Sequence, residues 1–396
     1  MRTTWTFHSA GSLIFGRHAV RELGDVARRL AARRCFIVAD RILERVGIVA
    51  AVTDSLASSG VEFVSWLDGE PEPSLHLVAR CADAARSARP DCLIGVGGGS
   101  NMDVAKMVAV LLTHGGRVHD YLGDDRVPGP IMPLICVPTT AGTGSEVSGA
   151  AAFTDTDHNV KTGSLSNYYR PRAAIVDPLL TVSCPPKVTA DSGIDALTHA
   201  IEAFTAVDNA EFPLPPGERS VYQGKHPMGD LCAEEAIRLC GQFLRRAVND
   251  GQDLEARDGM ALAATLGGLA FSNVGVALVH ALEYPVGGAT GCSHGEGNGL
   301  LLPFVMTFNL PGREREFARI AELLGEPPDA TRTVAAVEQL KRDIGIPERL
   351  RNLKNAPDPK QFRDFAEKAC AIKRILRVNP RPVTVNDCEA IYRAAW

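Results

Sequence analysis

The chain has no surplus of positive charge and no long apolar run. Its 396 residues include 42 Lys and Arg against 47 Asp and Glu, a net charge of −5 with a pI near 6.1. This acidic balance argues against a nucleic acid partner. The N-terminus has no apolar core of signal-peptide length, and no run of about 18 apolar residues predicts a membrane span. We therefore expect a cytoplasmic protein with no membrane partner.

The ten cysteines show no CxxC pair and no regular spacing. Such scatter is typical of reduced, buried thiols and not of a disulfide framework. Cys292 lies close to His294, so it is either a metal ligand or a small buried hydrophobe, and we favour the second interpretation.

The order of apolar segments predicts two domains of different classes. In the first half, the strand-like segments RCFIVAD, VEFVSWL and CLIGVGGG alternate with the helical segments ILERVGIVAAVTDSLASSG and PSLHLVARCADAARSAR, and PLICVPTT and AAIVD add further strands. That alternation is typical of an α/β domain with a parallel sheet. After the Pro–Pro pair at 185 and 186, long alanine- and leucine-rich helices follow. We predict an α/β domain over 1–185 and an all-helical domain over 186–396.

One stretch rich in proline, glycine and charge interrupts the predicted helices, from Ala206 to Asp230. Connections of this length are uncommon inside a domain, and they often act as lids or binding loops. We therefore treat it as a candidate binding loop.

A glycine turn between a strand and a helix predicts an anion site. The buried strand CLIGV runs into Gly97, Gly98, Gly99 and Ser100, and a helix begins at once. Glycines let backbone amides approach a pyrophosphate, and the helix N-terminus adds a partial positive charge. The alternative interpretation is a tight turn that binds nothing.

Two further features favour a nucleotide at this turn. Asp40 ends the strand RCFIVAD, where its carboxylate can accept hydrogen bonds from a ribose 2′-hydroxyl and would repel a 2′-phosphate, which favours NAD over NADP. Its other interpretation is a cap on the following helix. The segment VPTTAGTGSEVS, from Val137 to Ser148, is crowded with hydroxyls and glycines that can bond a nicotinamide or a phosphate, or it is a polar turn.

One aspartate and three histidines form the most informative pattern. Asp195 and His199 are four residues apart in a helical segment, so their side chains project from one face. His280 begins a second helical stretch, and His294 follows a glycine-rich break. One carboxylate oxygen and three imidazole nitrogens suit Fe(II) or Zn(II) with a position left open for substrate. Each histidine alone is more typical of an ordinary side chain, so the hypothesis depends on the set.

The chain resembles the iron-containing (group III) alcohol dehydrogenase family through GGGSNMDVAK, PTTAGTGSE, DALTHAIEAF, the histidine at 280 and SHGEGNGLLLP, read in that order. The resemblance implies a Rossmann-like dinucleotide-binding α/β domain followed by an all-helical domain, a dehydroquinate synthase-like architecture. It implies that the metal ligands are Asp195, His199, His280 and His294. The cofactor-binding residues that we assign are Asp40, Gly97, Gly98, Gly99, Ser100, Asp103, Thr139, Thr140, Thr143, Ser145 and Leu180.

One position departs from the family pattern. Many members carry a second histidine four residues after the third ligand, proposed to relay protons, and here that residue is Tyr284. A tyrosine there resembles the hydroxyacid-oxoacid transhydrogenase branch, which oxidises 4-hydroxybutyrate and reduces 2-oxoglutarate on one bound NAD. Tyr284 either donates a hydrogen bond to substrate or ribose, or packs. A phenol, whose ordinary pKa is near ~10, relays protons less well than histidine at neutral pH, so we expect an alkaline optimum.

An acid substrate needs a cation to hold its carboxylate. Lys161, in HNVKTG, is the candidate to which we assign a catalytic role beside Tyr284. Lys225 or His226, in the long loop, are further candidates, although surface solvation is the favoured interpretation of Lys225. Surface or structural roles are expected for the other histidines, which are His8, His18, His76, His114, His119, His158 and His226.

Together these features predict a metal- and NAD-dependent oxidoreductase that interconverts a primary alcohol or hydroxy acid and its aldehyde. The alternatives are the transhydrogenase with retained NAD, a non-redox enzyme like dehydroquinate synthase or a metal-dependent lyase, and a silent NAD-binding protein. The TTAGTGSE and DALTH motifs disfavour the non-redox enzyme, and the complete ligand set disfavours the silent protein. The resemblance suggests a homodimer or larger homo-oligomer acting on a small molecule.

Overall fold

A computed structural model describes residues 2–157 and 160–396, so His158 lies outside the described residues. The chain forms two compact units. The first comprises His8–Thr140 and Gly144–Cys184, and the second comprises the residues up to Phe7, Ala141–Thr143 and Pro185–Trp396. The long segment of the second unit thus starts at Pro185, while its two short pieces come from the predicted first domain. The units are defined by contacts, so the division into independent domains at 185 stays a prediction.

The strands are β1 Leu13–Phe15, β2 Arg34–Val38, β3 Glu62–Trp66, β4 Cys92–Gly97, β5 Gly123–Asp124, β6 Leu134–Pro138, β7 Ala150–Asp155, β8 Val160–Leu165 and β9 Ala173–Val176. The α-helices of the first unit are α1 Leu23–Arg29, α2 Arg41–Arg45, α3 Ile48–Ser58, α4 Leu75–Ala88 and α5 Gly99–His114. Those of the second are α6 Pro186–Thr205, α7 Pro227–Asn249, α8 Leu254–Val274, α9 Leu278–Thr290, α10 His294–Asn309, α11 Glu314–Leu323, α12 Ala330–Asp343, α13 Phe362–Ala371, α14 Lys373–Leu376 and α15 Val385–Ala394. Short 3₁₀ turns lie at Ala19–Glu22, Val118–Tyr121, Ser145–Val147, Asn167–Tyr169, Pro178–Thr181, Asn209–Glu211, Leu350–Asn352 and Pro359–Gln361.

The main sheet of the first unit has six parallel strands in the order β1-β9-β6-β4-β2-β3. Alternate side chains of a strand point to opposite faces of a sheet. In β2, Phe36 and Val38 join one apolar core, and Cys35 and Ile37 join the other. Burial on both faces is typical of parallel sheets covered by helices. The predicted fold class is therefore confirmed.

The structure adds two local features to the first unit. The predicted helical segment ILERVGIVAAVTDSLASSG divides into α2 and α3 at Gly47, whose φ of 82° lies in the left-handed region. The residues after the hydroxyl-rich segment form an antiparallel pair, β7 with β8, which joins β5 in a separate three-stranded sheet. Lys161 therefore lies in strand β8.

The second unit is built from helices, as predicted. Helix α6 is buried along almost its whole length because it packs against α7, α8 and α10. Among the residues of this unit that the structure describes, the strand-like contact is one isolated bridge, between Asp208 and Lys225. In the described part of the chain no single helix is long and apolar enough to cross a membrane. The pair α8 and α9 reaches that length only together, across a bend of 105°.

The N-terminal segment, residues 2–7, packs on the helical unit. The Trp5 ring stacks on the His226 imidazole with ring centroids 4.8 Å apart. The Thr6 N–H donates to Gln223 Oε1 at 2.9 Å, and Gln223 Nε2 donates to the Thr6 carbonyl at 2.8 Å. A glutamine side chain thus pairs with the Thr6 backbone through both of its polar atoms, which satisfies the polar groups of the buried Gln223.

The long loop from Ala206 to Asp230 is tied to the helical unit at its C-terminal end. Lys225 Nζ donates to the Phe204 carbonyl at 2.9 Å and to Asp230 Oδ1 at 2.7 Å, and it lies 4.1 Å from the centre of the Phe204 ring. The Lys225 side chain is only 12% exposed, so the interpretation as a solvated side chain is wrong. His226 caps α7 by accepting the Gly229 N–H on Nδ1, which is a structural role.

Candidate metal centre and nucleotide turn

Helix α6 presents Asp195 and His199 from consecutive turns. Their side chains face each other, with His199 Nδ1 3.9 Å from Asp195 Oδ2. Both residues are buried, and the His199 ring is stacked on Phe271 with centroids 4.2 Å apart. The helical spacing read from the sequence therefore puts a carboxylate and an imidazole side by side in an apolar environment.

Helices α9 and α10 bring the other two histidines to the same place. His280 Nε2 lies 3.9 Å and His294 Nε2 4.0 Å from Asp195 Oδ1. The donor atoms of Asp195, His280 and His294 all lie within 4.8 Å of one another. The His199 ring stacks on the His280 ring with centroids 4.8 Å apart. The structure thus gathers all four predicted residues, and their role as ligands stays a prediction.

Close approach of α10 to α6 depends on Gly295. A Cβ at this position would lie 2.0 Å from the Asp191 carbonyl oxygen, a distance that no side chain tolerates. Glycine is needed where two backbones approach so closely. The residue directly after His294 therefore allows the N-terminus of α10 to reach the turn of α6 that carries Asp195.

Three buried polar atoms at this centre have no hydrogen-bond partner among the described residues. They are His199 Nδ1, His280 Nε2 and Asn298 Oδ1. Leaving a buried polar atom unpaired costs about 1 to 3 kcal/mol, so native proteins seldom do it. A divalent cation bound by the nitrogens of His199 and His280 would remove that cost for these two residues. The residues therefore fit a metal ion by donor type, by convergence and by their unsatisfied atoms.

Two buried glutamates orient the histidines from behind. Glu202 Oε2 lies 2.6 Å from His280 Nδ1, and Glu283 Oε2 lies 2.5 Å from His294 Nδ1. A carboxylate at Nδ1 fixes the tautomer that keeps the proton there and leaves the Nε2 lone pair for a metal. We did not predict these residues. A signal for them exists in the repeated spacing HAIE and HALE, in which each glutamate follows a ligand histidine by three residues.

Each of these glutamates pairs with a histidine on a different helix. Glu202 follows His199 on α6 but holds His280 of α9, and it also accepts the backbone N–H groups of Ala277 at 2.8 Å and Val279 at 2.6 Å. Glu202 therefore anchors the start of α9 as well as its histidine.

Asn298 is a third residue that sequence reasoning missed. Its Nδ2 donates to Asp195 Oδ1 at 2.8 Å and lies 3.1 Å from His294 Nε2. An amide N–H can donate to Nε2 only when that nitrogen carries no proton. This agrees with the tautomer that Glu283 imposes on His294.

The charge balance at the centre favours a neutral His199 and an ionised Asp195. Burial lowers the pKa of His199 to about 4, so its imidazole is neutral at neutral pH and one ring nitrogen has a free lone pair. Burial alone would raise the pKa of Asp195, but the nearby His199, His294 and His280 outweigh it and the net shift is downward. A carboxylate with neutral imidazoles is the protonation state that a metal requires.

Tyr284 and Cys292 lie next to this centre on α9 and just before α10. The Tyr284 ring centroid is 6.1 Å from that of His294, so the residue at the departing position faces a predicted ligand. Among the described residues, the converging His and Asp group does not include Cys292.

The glycine turn connects β4 to α5 as predicted, with Gly98 at the helix N-cap. Gly97 has a φ of +143°, and a Cβ there would lie 2.4 Å from Asn101 Nδ2. No side chain caps this 16-residue helix, so the N–H groups of its first turn point outward at its positive end. Backbone amides without a competing side chain are what a phosphate needs.

Asp40 acts as a helix cap in the structure. Its Oδ1 accepts the N–H groups of Ile42 at 2.8 Å and Leu43 at 3.0 Å, and its Oδ2 accepts from Asn101 Nδ2 at 3.0 Å. Asn101 also donates to the Val96 carbonyl, so it joins the end of β4 to Asp40. Asp40 thus caps α2, as the alternative interpretation had it, and its contact with a ribose stays a prediction.

Asp103 and Ser145 belong to a buried network around Lys106. Ser145 Oγ donates to Asp103 Oδ1 at 2.7 Å, and the fully buried Lys106 donates to Ser145 Oγ at 2.7 Å and to the Ala150 carbonyl at 2.7 Å. Burial raises the pKa of Asp103, and Lys106 opposes that shift. We did not foresee this lysine. The network fixes the hydroxyl-rich segment on α5. Asp103 and Ser145 would therefore affect cofactor binding by positioning that segment.

The remaining predicted residues are placed as follows. Ser100 lies in the first turn of α5, and Thr139 donates its N–H to the Gly97 carbonyl at 3.0 Å. Thr140 Oγ1 faces Gly98, whose Cβ would lie 3.4 Å away. Leu180 packs in the apolar core of the first unit, and Thr143 belongs to the second unit. Lys161 Nζ lies 3.3 Å from Glu72 Oε2, so a substrate carboxylate would compete with Glu72 for it.

Two protein-family models together match most of the chain. "Iron-containing alcohol dehydrogenase" matches residues 10–178, and "Fe-containing alcohol dehydrogenase family, C-terminal" matches residues 218–396. The long-chain-alcohol dehydrogenase 1 of Geobacillus thermodenitrificans is 38% identical over 392 residues, covering 96% of this chain and 94% of that protein. The NAD-dependent methanol dehydrogenase of Bacillus methanolicus is 34% identical, covering 96% and 97%.

A solved structure agrees with the sequence relatives. The crystal structure of a 1,3-propanediol oxidoreductase has a TM-score of 0.92 and 34% identity, covering 99% of this chain and all of that one. Because both the sequence and the fold match over nearly the full length, the chain belongs to the iron-containing alcohol dehydrogenase family.

Proposed function

We propose that this chain is an NAD-dependent alcohol dehydrogenase that interconverts a primary alcohol or hydroxy acid and its aldehyde, with Fe(II) as the metal and Zn(II) as the alternative. The observation that carries the proposal is the buried centre of Asp195, His280 and His294, with His199 stacked against it. The NAD-dependent methanol dehydrogenase among the relatives supports the cofactor.

Asp195, His199, His280 and His294 would hold the metal, which when bound supplies Lewis-acid polarisation of a substrate oxygen. Glu202 and Glu283 keep the ligand nitrogens of His280 and His294 pointed at the centre. Phe271 covers His199 and excludes water from that side. The chain's own contribution is thus a pre-oriented and mostly buried set of donors, while the hydride chemistry belongs to NAD.

The amides of the turn at Gly97 to Ser100 would receive the NAD pyrophosphate at the N-terminus of α5. Asn101 fixes the shape of this turn through Val96 and Asp40. A carboxylate at Asp40 favours NAD over NADP, because it would repel a 2′-phosphate.

The proposal is tested by purifying the protein without oxygen, measuring its metal content, and following NADH formation. The alcohols should include methanol, a long-chain alcohol and 1,3-propanediol, which the relatives' names suggest. We expect one metal-dependent, NAD-dependent activity that a chelator removes and Fe(II) or Zn(II) restores. Absence of both metal and nucleotide binding would contradict it. Adding 4-hydroxybutyrate with 2-oxoglutarate but no free NAD tests the transhydrogenase, since only retained NAD allows turnover.

We also propose a cytoplasmic homodimer or larger homo-oligomer. This rests on the family resemblance, and light scattering on the purified protein tests the assembly. A monomeric mass at working concentration would contradict it.

Family members with histidine at the position of Tyr284 are expected to differ from this chain in how they bind substrate or transfer protons. Tyr284→Phe keeps the ring beside His294 and removes the hydroxyl. If the hydroxyl donates to substrate or ribose, alcohol oxidation falls roughly three- to ten-fold, the equivalent of one hydrogen bond, with unchanged metal content. An unchanged rate and pH profile would mean that the ring only packs.

Gly97→Ala should weaken NAD binding. Its φ of +143° is strained for any residue with a Cβ, and the added atom would collide with Asn101. The strain costs about 1 to 3 kcal/mol, which corresponds to roughly ten-fold weaker binding if only the turn must shift. Titration calorimetry with NAD measures it. Gly129→Ala is the control, because a Cβ there approaches only His114, at 3.8 Å.

A further inference from the structure

Two cysteines of the helical unit lie in contact far along the chain from the metal centre. Cys370 of α13 and Cys388 of α15 have their sulfur atoms 3.5 Å apart. A disulfide bond is about 2.05 Å long, so a relative movement of about 1.5 Å would join them. Cys388 is buried, while Cys370 is half-buried and reachable from solvent. The two sulfur atoms are therefore close together, and one of the two residues is partly exposed to solvent.

The chain between the two cysteines is anchored at its middle and at the start of α15. Asn379 and Asn309 exchange amide hydrogen bonds of 2.8 and 2.9 Å, and the Val378 carbonyl accepts the Val207 N–H at 2.9 Å. Thr384 and Asp387 form a capping box at the start of α15. Such anchoring keeps the sulfurs together, which favours bond formation over the separate oxidation of each thiol.

We propose that Cys370 and Cys388 are a redox-modification site, forming a reversible disulfide with a peroxide as oxidant. The Cys370 sulfur attacks one peroxide oxygen, the O–O bond breaks, and hydroxide leaves to give a sulfenic acid at Cys370. The Cys388 sulfur then attacks the Cys370 sulfur, the S–O bond breaks, and water leaves. Two thiols are oxidised by two electrons in total, and one hydrogen peroxide is reduced to two water molecules.

The cross-link would fasten the helices that support α9. Tyr392 lies one turn after Cys388 on α15, and its hydroxyl donates to the Leu282 carbonyl at 2.7 Å. Phe362 and Phe365 of α13 pack their rings around Tyr392. The disulfide therefore closes a loop between α15, which contacts Leu282 of α9 directly, and α13, which packs on α9 and on Tyr392. This inference does not depend on the proposed dehydrogenase activity.

In the experiment, hydrogen peroxide is added to the full-length protein. The protein is first loaded with zinc, because zinc has no redox chemistry. Free thiols are then alkylated, and the digest is mapped by mass spectrometry. We expect a linked Cys370–Cys388 peptide and loss of both thiols together, reversed by dithiothreitol. The melting temperature should rise by about 5 to 10 °C, because the closed loop restricts the unfolded chain. Cys370→Ser and Cys388→Ser should each abolish the link and the shift.

The pair Cys35 and Cys92 is a matched control within the same chain. These residues are register partners on the neighbouring strands β2 and β4, and both are fully buried. They should stay alkylatable after unfolding, since peroxide cannot reach either sulfur in the folded protein. The proposal is overturned if Cys370 becomes sulfinic while Cys388 stays free, if both thiols persist, or if the double serine variant gains the same thermal shift.

Discussion

Asp195→Asn will empty the metal centre and lower alcohol oxidation by about a thousand-fold or more. The substitution keeps the shape of the side chain but removes the carboxylate charge around which His199, His280 and His294 are gathered. Loss of Lewis-acid stabilisation worth several kcal/mol corresponds to a rate loss of that order. Elemental analysis and the initial rate of NADH formation measure the two effects on one preparation.

Thr198→Val is the control for disturbance of α6. Thr198 is fully buried beside His199, and its hydroxyl donates to the Ile194 carbonyl of its own helix. The change is nearly isosteric and touches no predicted ligand, so metal content should stay within a few-fold of the original. Full metal occupancy in Asp195→Asn would contradict the assignment of the ligand set.

Glu202→Gln will weaken metal binding by about 10- to 100-fold, the usual effect of removing the carboxylate behind a ligand histidine. Glu202 accepts from three donors, which are His280 Nδ1 and the N–H groups of Ala277 and Val279. A glutamine offers one acceptor oxygen and an NH₂ group, so at least one donor faces another donor. Competition with a chelator of known affinity measures the loss.

Glu202→Ala should add a loss of stability to the loss of metal. Truncation leaves two buried backbone amides unpaired, each at about 1 to 3 kcal/mol, so the free energy of unfolding falls by several kcal/mol. Denaturant unfolding of the metal-free protein isolates this contribution. Glu255→Gln is the control, because Glu255 is exposed and pairs with Arg246 at the surface. Unchanged metal affinity in Glu202→Gln would mean that other contacts orient His280.

The side-by-side placement of Asp195 and His199 could be predicted from sequence because it is local, whereas His280 and His294 come from α9 and α10. Asp195 and His199 are one helical turn apart, and helix periodicity alone puts them on one face. The strand, glycine turn and helix at Gly97 are also contiguous, so a short stretch of sequence contains the whole predicted phosphate site. For such features, residue type and spacing carry nearly all of the structural information.

Other parts depend on contacts between distant segments and could not be predicted. Glu202 holds a histidine 78 residues away, and no periodicity on α6 indicates that partner. Lys106 is fully buried, which is rare for lysine, and its partners become apparent only when the segment from Ser145 to Ala150 folds back on α5. The β7–β8 pair was missed because alanines and threonines give its strands little apolar alternation.

The N-terminal segment has a consequence for how the chain is made. Thr6 pairs with Gln223, which lies 217 residues later in the chain, so Thr6 lacks this partner until synthesis has passed Gln223. Domains usually fold in the order of their synthesis, and contacts at this separation form late. The stacking of the Trp5 ring on His226, which leaves Trp5 39% exposed, likewise forms only after the start of α7 has been made.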